Sequence, residues 1–112
     1  MFAVIYRSYL KPCKELEYQQ AWRRVANYFL EKRGALGSCL HRTEDGMWVS
    51  YSRWPDKATR DRSWPGDDAP SQELPEEIRT AVLTLQACLD PDRKMPEIHL
   101  EVVDDLLLSL IK

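Results

Sequence analysis

Eight side chains in this sequence are of the types from which a small-molecule site can be built: Tyr6, Arg7, Trp22, His41, Tyr51, Arg53, Trp54 and Trp64. Aromatic rings give flat apolar walls with a polar edge. Arginines hold anions, and a histidine can move a proton near neutral pH. From this pool Tyr51, Arg53, Trp64 and His41 are the candidates for catalysis, and Tyr6, Arg7, Trp22 and Trp54 for the pocket wall. Each also has a structural reading. Trp22 falls on an apolar helix stripe and Tyr6 shares a strand face with Val4, so both can be core. Arg7 interrupts an apolar strand face, which suits a structural ion pair as well as an anion site. His41 and its neighbour Arg42 must point to opposite faces of a strand, and a satisfied structural histidine fits there as well as a base. Trp64 can close a pocket or cap the core.

The metal-ligating and nucleophilic types are less promising. No histidine and carboxylate cluster has helical ligand spacing, so no metal is expected. Asp67-Asp68 reads as a solvated loop and Glu76-Glu77 as a helix N-terminus. The three cysteines, Cys13, Cys39 and Cys88, are scattered and form no CxxC pair. Cys39 and Cys88 lie in apolar patterns and read as buried thiols. Cys13 lies in a turn between Lys11 and Lys14, with no histidine nearby in sequence to make it a nucleophile.

The elements that must position these residues are legible in the patterning. Phe2 to Leu10 is rich in β-branched and aromatic residues and stops at Lys11-Pro12, which reads as a strand. Phe2, Val4, Tyr6 and Leu10 take one face; Ala3, Ile5 and Tyr9 take the other. A strand apolar on both faces is normally covered on both. From Lys14 to Arg33, Tyr18, Trp22, Val25 and Phe29 recur at helical spacing, and Gly34 follows as a stop. Ala35 to Thr43 and Met47 to Trp54 flank Asp45-Gly46, a hairpin turn. Asp56 can cap a short helix from Lys57 to about Trp64. A polar loop over 65–71 leads to a second amphipathic helix, opened by Pro75 and striped with Ile78, Val82, Leu85 and Leu89. Glu97 to Val103 reads as the last strand, followed by an apolar tail through Leu106, Leu107, Leu108, Leu110 and Ile111. The order is that of a ferredoxin-like α+β unit, β-α-β-β-α-β with an extra helix and an antiparallel sheet.

Four stretches together resemble the antibiotic biosynthesis monooxygenase superfamily. They are the first strand running into Lys11-Pro12-Cys13-Lys14-Glu15, the Trp22 helix, Gly37-Ser38-Cys39-Leu40-His41-Arg42 leading to the Asp45-Gly46 hairpin, and Tyr51-Ser52-Arg53-Trp54-Pro55. They cover roughly the first half of the chain. Cys13 departs from the pattern, since relatives often carry glycine in that turn. The resemblance implies a dimeric α+β barrel, two sheets face to face with helices outside, and a pocket between sheet and helices in each subunit. It implies oxidation of a small aromatic or quinone-like substrate without cofactor. A substrate so oxidised is first deprotonated to an electron-rich anion that reacts with oxygen, which asks the protein for a dry pocket and a base or anion stabiliser. The alternative is a non-catalytic barrel that binds a small apolar ligand. The haem-degrading branch of the superfamily uses an asparagine on the first strand, a tryptophan after the third and a later histidine. Here Trp64 matches the tryptophan, but Asn27 lies on the helix and no histidine falls between His41 and His99, so haem degradation is disfavoured.

Composition sets the remaining expectations. A chain of 112 residues suits a single domain over residues 1–112. A net charge of −2 gives no global positive field for nucleic acid or anionic lipid, and 44% hydrophobic with 30% charged residues is ordinary for a globular protein. The N-terminal segment has no basic leader or cleavage site, and no apolar run reaches the ~20 residues that span a bilayer. The expected setting is cytoplasmic, with no membrane or nucleic-acid partner, as a homodimer.

Overall fold

The computed structural model describes residues 1–64 and 74–107. The loop read at 65–71 and most of the apolar tail lie outside the described residues. Among the described residues four strands and three helices follow in the order β1 (Phe2–Ser8), α1 (Glu15–Lys32), β2 (Gly37–Arg42), β3 (Trp48–Trp54), α2 (Lys57–Ser63), α3 (Glu76–Cys88) and β4 (Ile98–Glu101). The strands form one antiparallel sheet in the order β2-β3-β1-β4. This is the expected ferredoxin-like α+β arrangement, with α2 as the extra helix.

Local chemistry accounts for most element boundaries. Helix α1 has Glu15 and Glu17 in its first turn and Lys32 in its last, matching the helix dipole. Gly34 closes it at φ +83°, where Ala35 N–H returns to the Phe29 carbonyl at 3.1 Å. Asp56 caps α2 as expected, its Oδ1 accepting from Thr59 N–H at 2.7 Å. At the β2–β3 hairpin Gly46 sits at φ +91°, and Thr43 N–H bonds the Met47 carbonyl at 2.8 Å. Cys13 takes φ +63° in the turn before α1, a left-handed conformation that glycine adopts at lower cost.

Two expected boundaries shift. Strand β1 ends at Ser8, opposite Trp48, where its ladder with β3 runs out. Beyond it the chain bonds the end of α3 instead, through Lys11 N–H to Cys88 O at 2.8 Å and Asp90 N–H to Tyr9 O at 2.9 Å. Strand β4 is shorter than Glu97 to Val103 because β1 offers it partners only from Phe2 to Ile5. A short 3-10 turn over Pro91–Arg93, not expected from the sequence, is opened by Asp90, whose side chain accepts from Asp92 N–H.

Helices α1 and α3 pack side by side on one face of the sheet. Val4, Val25, Phe29, Trp54, Ile78 and Val82 form the main core there, with Tyr6 and Trp64 packed against it. Tyr18, Trp48 and Cys88 form a second cluster with Leu10, Leu40 and Leu89. Cys88 is buried as expected, but Cys39 is exposed, because its strand alternation turns it away from the helices. No described helix is long and apolar enough to cross a membrane.

Candidate functional site

A cavity of about 560 Å³ lies between the sheet and the helices. This is the size range of small-molecule sites. Its shape follows from strand β3, whose helix-side positions read Trp48, Ser50, Ser52, Trp54. Two small residues between two tryptophans leave a notch in the sheet surface. Ser38 of β2 pairs opposite Ser52, so the notch continues onto the next strand. Tyr6 and Ser8 of β1 complete the sheet side. The helix side is Tyr18, Trp22, Val25 and Phe29 from α1 and Val82, Leu85 and Gln86 from α3. The rim is Tyr9 and the segment from Leu89 to Glu97.

The sheet side is polar and internally bonded. Trp22 Nε1 donates to Ser50 Oγ at 2.9 Å, and Ser38 Oγ to Ser52 Oγ at 2.9 Å. The walls are aromatic. Phe29 meets Trp64 edge-on at 5.5 Å and Trp54 at 6.1 Å between ring centroids. Trp64 ends α2 by donating its backbone N–H to the Arg60 carbonyl at 2.8 Å. Burial pushes the Tyr18 hydroxyl up to about 12, so it stays protonated.

One ionic network borders the cavity. The Arg60 guanidinium, 6% exposed, donates through Nη2 to Tyr6 Oη at 3.0 Å and to Glu97 Oε1 at 2.6 Å. His99 Nε2 lies 2.6 Å from the same Glu97 oxygen and must donate, since a carboxylate only accepts. Burial would raise the Glu97 carboxyl, but His99 and Arg60 outweigh it and hold it below the usual glutamate range. Burial also opposes the charge on Arg60, yet Tyr6 and Glu97 more than restore it. At the rim, Tyr9 donates to Asp45 Oδ2 at 2.9 Å, and the Arg93 guanidinium lies 3.5 Å from the Tyr9 ring centre.

The sequence candidates divide between the two faces of the sheet. Tyr6, Trp22, Trp54 and Trp64 line the cavity together, and Arg7 reaches its rim, where Nη2 donates to the Pro96 carbonyl at 3.1 Å. Tyr51, Arg53 and His41 are not brought there. Alternation along β3 gives the helix side to Ser50 and Ser52, so Tyr51 and Arg53 take the other face, with His41 on the same side of β2. There Arg53 donates to Tyr51 Oη at 2.8 Å and to Asp105 Oδ2 at 2.5 Å. Exposed His41 donates through Nδ1 to the Val49 carbonyl at 3.1 Å. Sequence reading missed Ser50, Ser52, Arg60 and Glu97. Arg60 stands four residues before Trp64 and so shares its helix face, and Glu97 stands two before His99 on a strand; both spacings were readable. Among the described residues no group of three His, Cys, Asp or Glu side chains is placed to hold a metal.

No protein-family model matches the sequence, and no curated sequence matches it significantly. Solved structures do. An antibiotic biosynthesis monooxygenase superposes with TM-score 0.68 at 18% identity, over 93% of this chain and 100% of that one. The fold is that of the antibiotic biosynthesis monooxygenases. SnoaB, a cofactor-independent oxygenase from Streptomyces nogalater, shares it with TM-score 0.68 and 15% identity, over 95% and 96% of the two chains. Rv0793 from Mycobacterium tuberculosis does so with TM-score 0.67 and 15% identity, over 94% and 97%. In this chain the monooxygenase fold carries its cavity on the helix side of the sheet, where Trp22, Trp54 and Trp64 converge.

Proposed function

We propose that the cavity binds a small aromatic or quinone-like compound and oxygenates it without metal or organic cofactor. The observation that carries this reading is an aromatic-walled cavity whose sheet side bears hydroxyls, among them that of Tyr6, which accepts from Arg60. That SnoaB, of the same fold, is a cofactor-independent oxygenase supports it. Tyr6 is the residue we assign to the proton. In its ionised form, with the Arg60 guanidinium donating to its oxygen, Tyr6 takes the hydroxyl proton of a phenolic substrate. The resulting ring anion reacts with dioxygen, forming a carbon–oxygen bond. Protonation then gives a hydroperoxide that loses water, leaving a quinone: one oxygen atom enters the product and one leaves as water. Trp22, Trp54 and Trp64 hold the ring and keep bulk water out of the reaction.

An oxygen electrode tests this with a panel of phenols, naphthols and anthrones in the presence of a chelator. Uptake of one dioxygen per product is expected, falling ~100-fold in Tyr6→Phe, the lower range for loss of a general base, and also in Trp64→Ala. No uptake by the wild type, or uptake unchanged in both variants, overturns the oxygenase reading. Ligand binding without uptake leaves the non-catalytic barrel.

A homodimer belongs to the same reading. The sheet face away from the helices carries Ile5, Val49, Tyr51, Ile98 and Leu100, all half-buried, and Val103, Leu106 and Leu107 beside it are 91%, 76% and 61% exposed. A second copy covering this face would enclose Tyr51, Arg53 and His41 between the sheets. Light scattering at micromolar concentration is expected to give twice 13.1 kDa; the monomer mass would sink the proposal. The three free thiols, Cys13, Cys39 and Cys88, are consistent with a cytoplasmic setting.

A further inference from the structure

Ser50 occupies the middle of β3, between Tyr6 and Leu40 on the flanking strands. It is 5% exposed and lines the cavity. Its oxygen lies 2.9 Å from Trp22 Nε1. An indole N–H can only donate, so the serine oxygen must accept. The hydroxyl hydrogen is therefore left over, and no acceptor takes it among the described residues. A buried donor without an acceptor carries a desolvation penalty that a suitable partner would lift. The accepted indole bond also polarises the hydroxyl and makes it a better donor.

A second hydroxyl pair lies beside Ser50 in a more exposed position. Ser38 and Ser52 bond each other, so whichever donates, one hydrogen of the pair is left for a further acceptor. Ser52 follows Ser50 by two residues on the same face, about 6.6 Å along the strand. The sheet side of the cavity thus presents surplus hydrogen-bond donors in a row, beneath aromatic walls.

We propose that Ser50, oriented by Trp22, donates its hydroxyl hydrogen to a carbonyl or phenolate oxygen of a ring ligand, and so sets the cavity's preference for oxygenated rings over bare aromatic hydrocarbons. This rests on the ligand class given above but not on turnover. In the proposed reaction the same hydrogen would hold the substrate's phenolate oxygen while Tyr6 keeps the proton.

Two probes separate the donor from the walls: anthraquinone-2-sulfonate and anthracene-2-sulfonate, which share three fused rings and a sulfonate and differ in two carbonyl oxygens. Titration calorimetry on the wild type is expected to show the quinone bound ~10-fold more tightly, the range for a neutral hydrogen bond otherwise unmade. Ser50→Ala should lose most of that preference while leaving the hydrocarbon's affinity unchanged. Ser50→Thr, which keeps the hydroxyl, should retain it. Trp22→Phe, which frees the hydroxyl to rotate, should fall between. Binding is read below the melting transition of each variant, so a stability loss does not obscure the result. An equal affinity of the wild type for both probes overturns the proposal, as does a preference undiminished in Ser50→Ala or no binding of either probe. A quinone preference lost in Ser50→Ala, in a protein that consumes no oxygen, would uphold the donor and overturn the oxygenase.

Discussion

Glu97→Gln is expected to lower the stability of the fold by about 3 kcal/mol at neutral pH, the lower end for stranding one charge of a buried pair. Its partner Arg60 has a side chain only 6% exposed, against 21% for Glu97. Arg60 keeps Asp61 at 3.1 Å and the Tyr6 hydroxyl after the change, which is why the loss stays at the lower end. In a domain of this size the melting temperature should fall by about 12 °C or more. The pH dependence follows from the direction of the Glu97 shift. A carboxyl depressed in the folded state contributes stability that is complete above its ordinary value, 4.5, and is lost as pH falls from there through the folded value. Wild-type stability should therefore decline below about pH 4.5, and Glu97→Gln, whose amide does not titrate, should flatten that decline. Urea unfolding between pH 7 and pH 3 measures both effects. Since the penalty lies in a buried cation that has lost its closer carboxylate, Arg60→Met combined with Glu97→Gln should recover part of what Glu97→Gln loses alone. An unchanged midpoint at pH 7, or no recovery in the double variant, would show that the pair does not stabilise the fold.

The ion pair also shows where sequence reading stops. The stripe of Tyr18, Val25 and Phe29, the Asp45-Gly46 turn and the Asp56 cap rest on local rules, and the structure meets them within a residue or two. The pocket needed a further fact, namely which face of β3 the helices cover. Alternation shows that Tyr51 and Arg53 share a face and that Trp54 opposes them. Both alternate sets contain large aromatic residues, however, so periodicity alone does not say which set faces inward. That is settled by α1 and α3 docking on the Phe2, Val4 and Trp54 side, which places the serines over the interior and Tyr51 outside it. Ser50 and Ser52 look like ordinary strand residues until the two flanking tryptophans are seen to stand at the edges of a notch. Arg60 looks like one of several exposed cations on a short helix; its burial depends on Tyr6 and Glu97, 54 and 37 residues away in sequence.

Phe29→Ala joins stability to the site, because the ring is at once core and wall. It is 8% exposed and meets Tyr28, Trp54 and Trp64 with centroids at 5.8, 6.1 and 5.5 Å. Truncating a buried phenylalanine costs about 3–5 kcal/mol, from lost transfer energy and the void left behind. Here the void would open into the existing cavity, between the two tryptophans, rather than seal as an isolated hole. A small aromatic such as indole can refill such a space, and at about 100 times its dissociation constant it would restore about 2.7 kcal/mol. Ile78→Ala supplies the contrast: Ile78 is 5% exposed in the same core but does not line the cavity. Its loss should cost a similar amount, about 2–5 kcal/mol, and indole should stabilise it no more than it does the wild type, whose cavity is the same. Thermal melts of the wild type and both variants with and without indole decide the matter. A gain from indole larger in Phe29→Ala than in the wild type and Ile78→Ala would establish that the aromatic wall is continuous with a ligand-accessible space. A gain no larger in Phe29→Ala than in the wild type would reduce Phe29 to core packing and remove one wall from the proposed site.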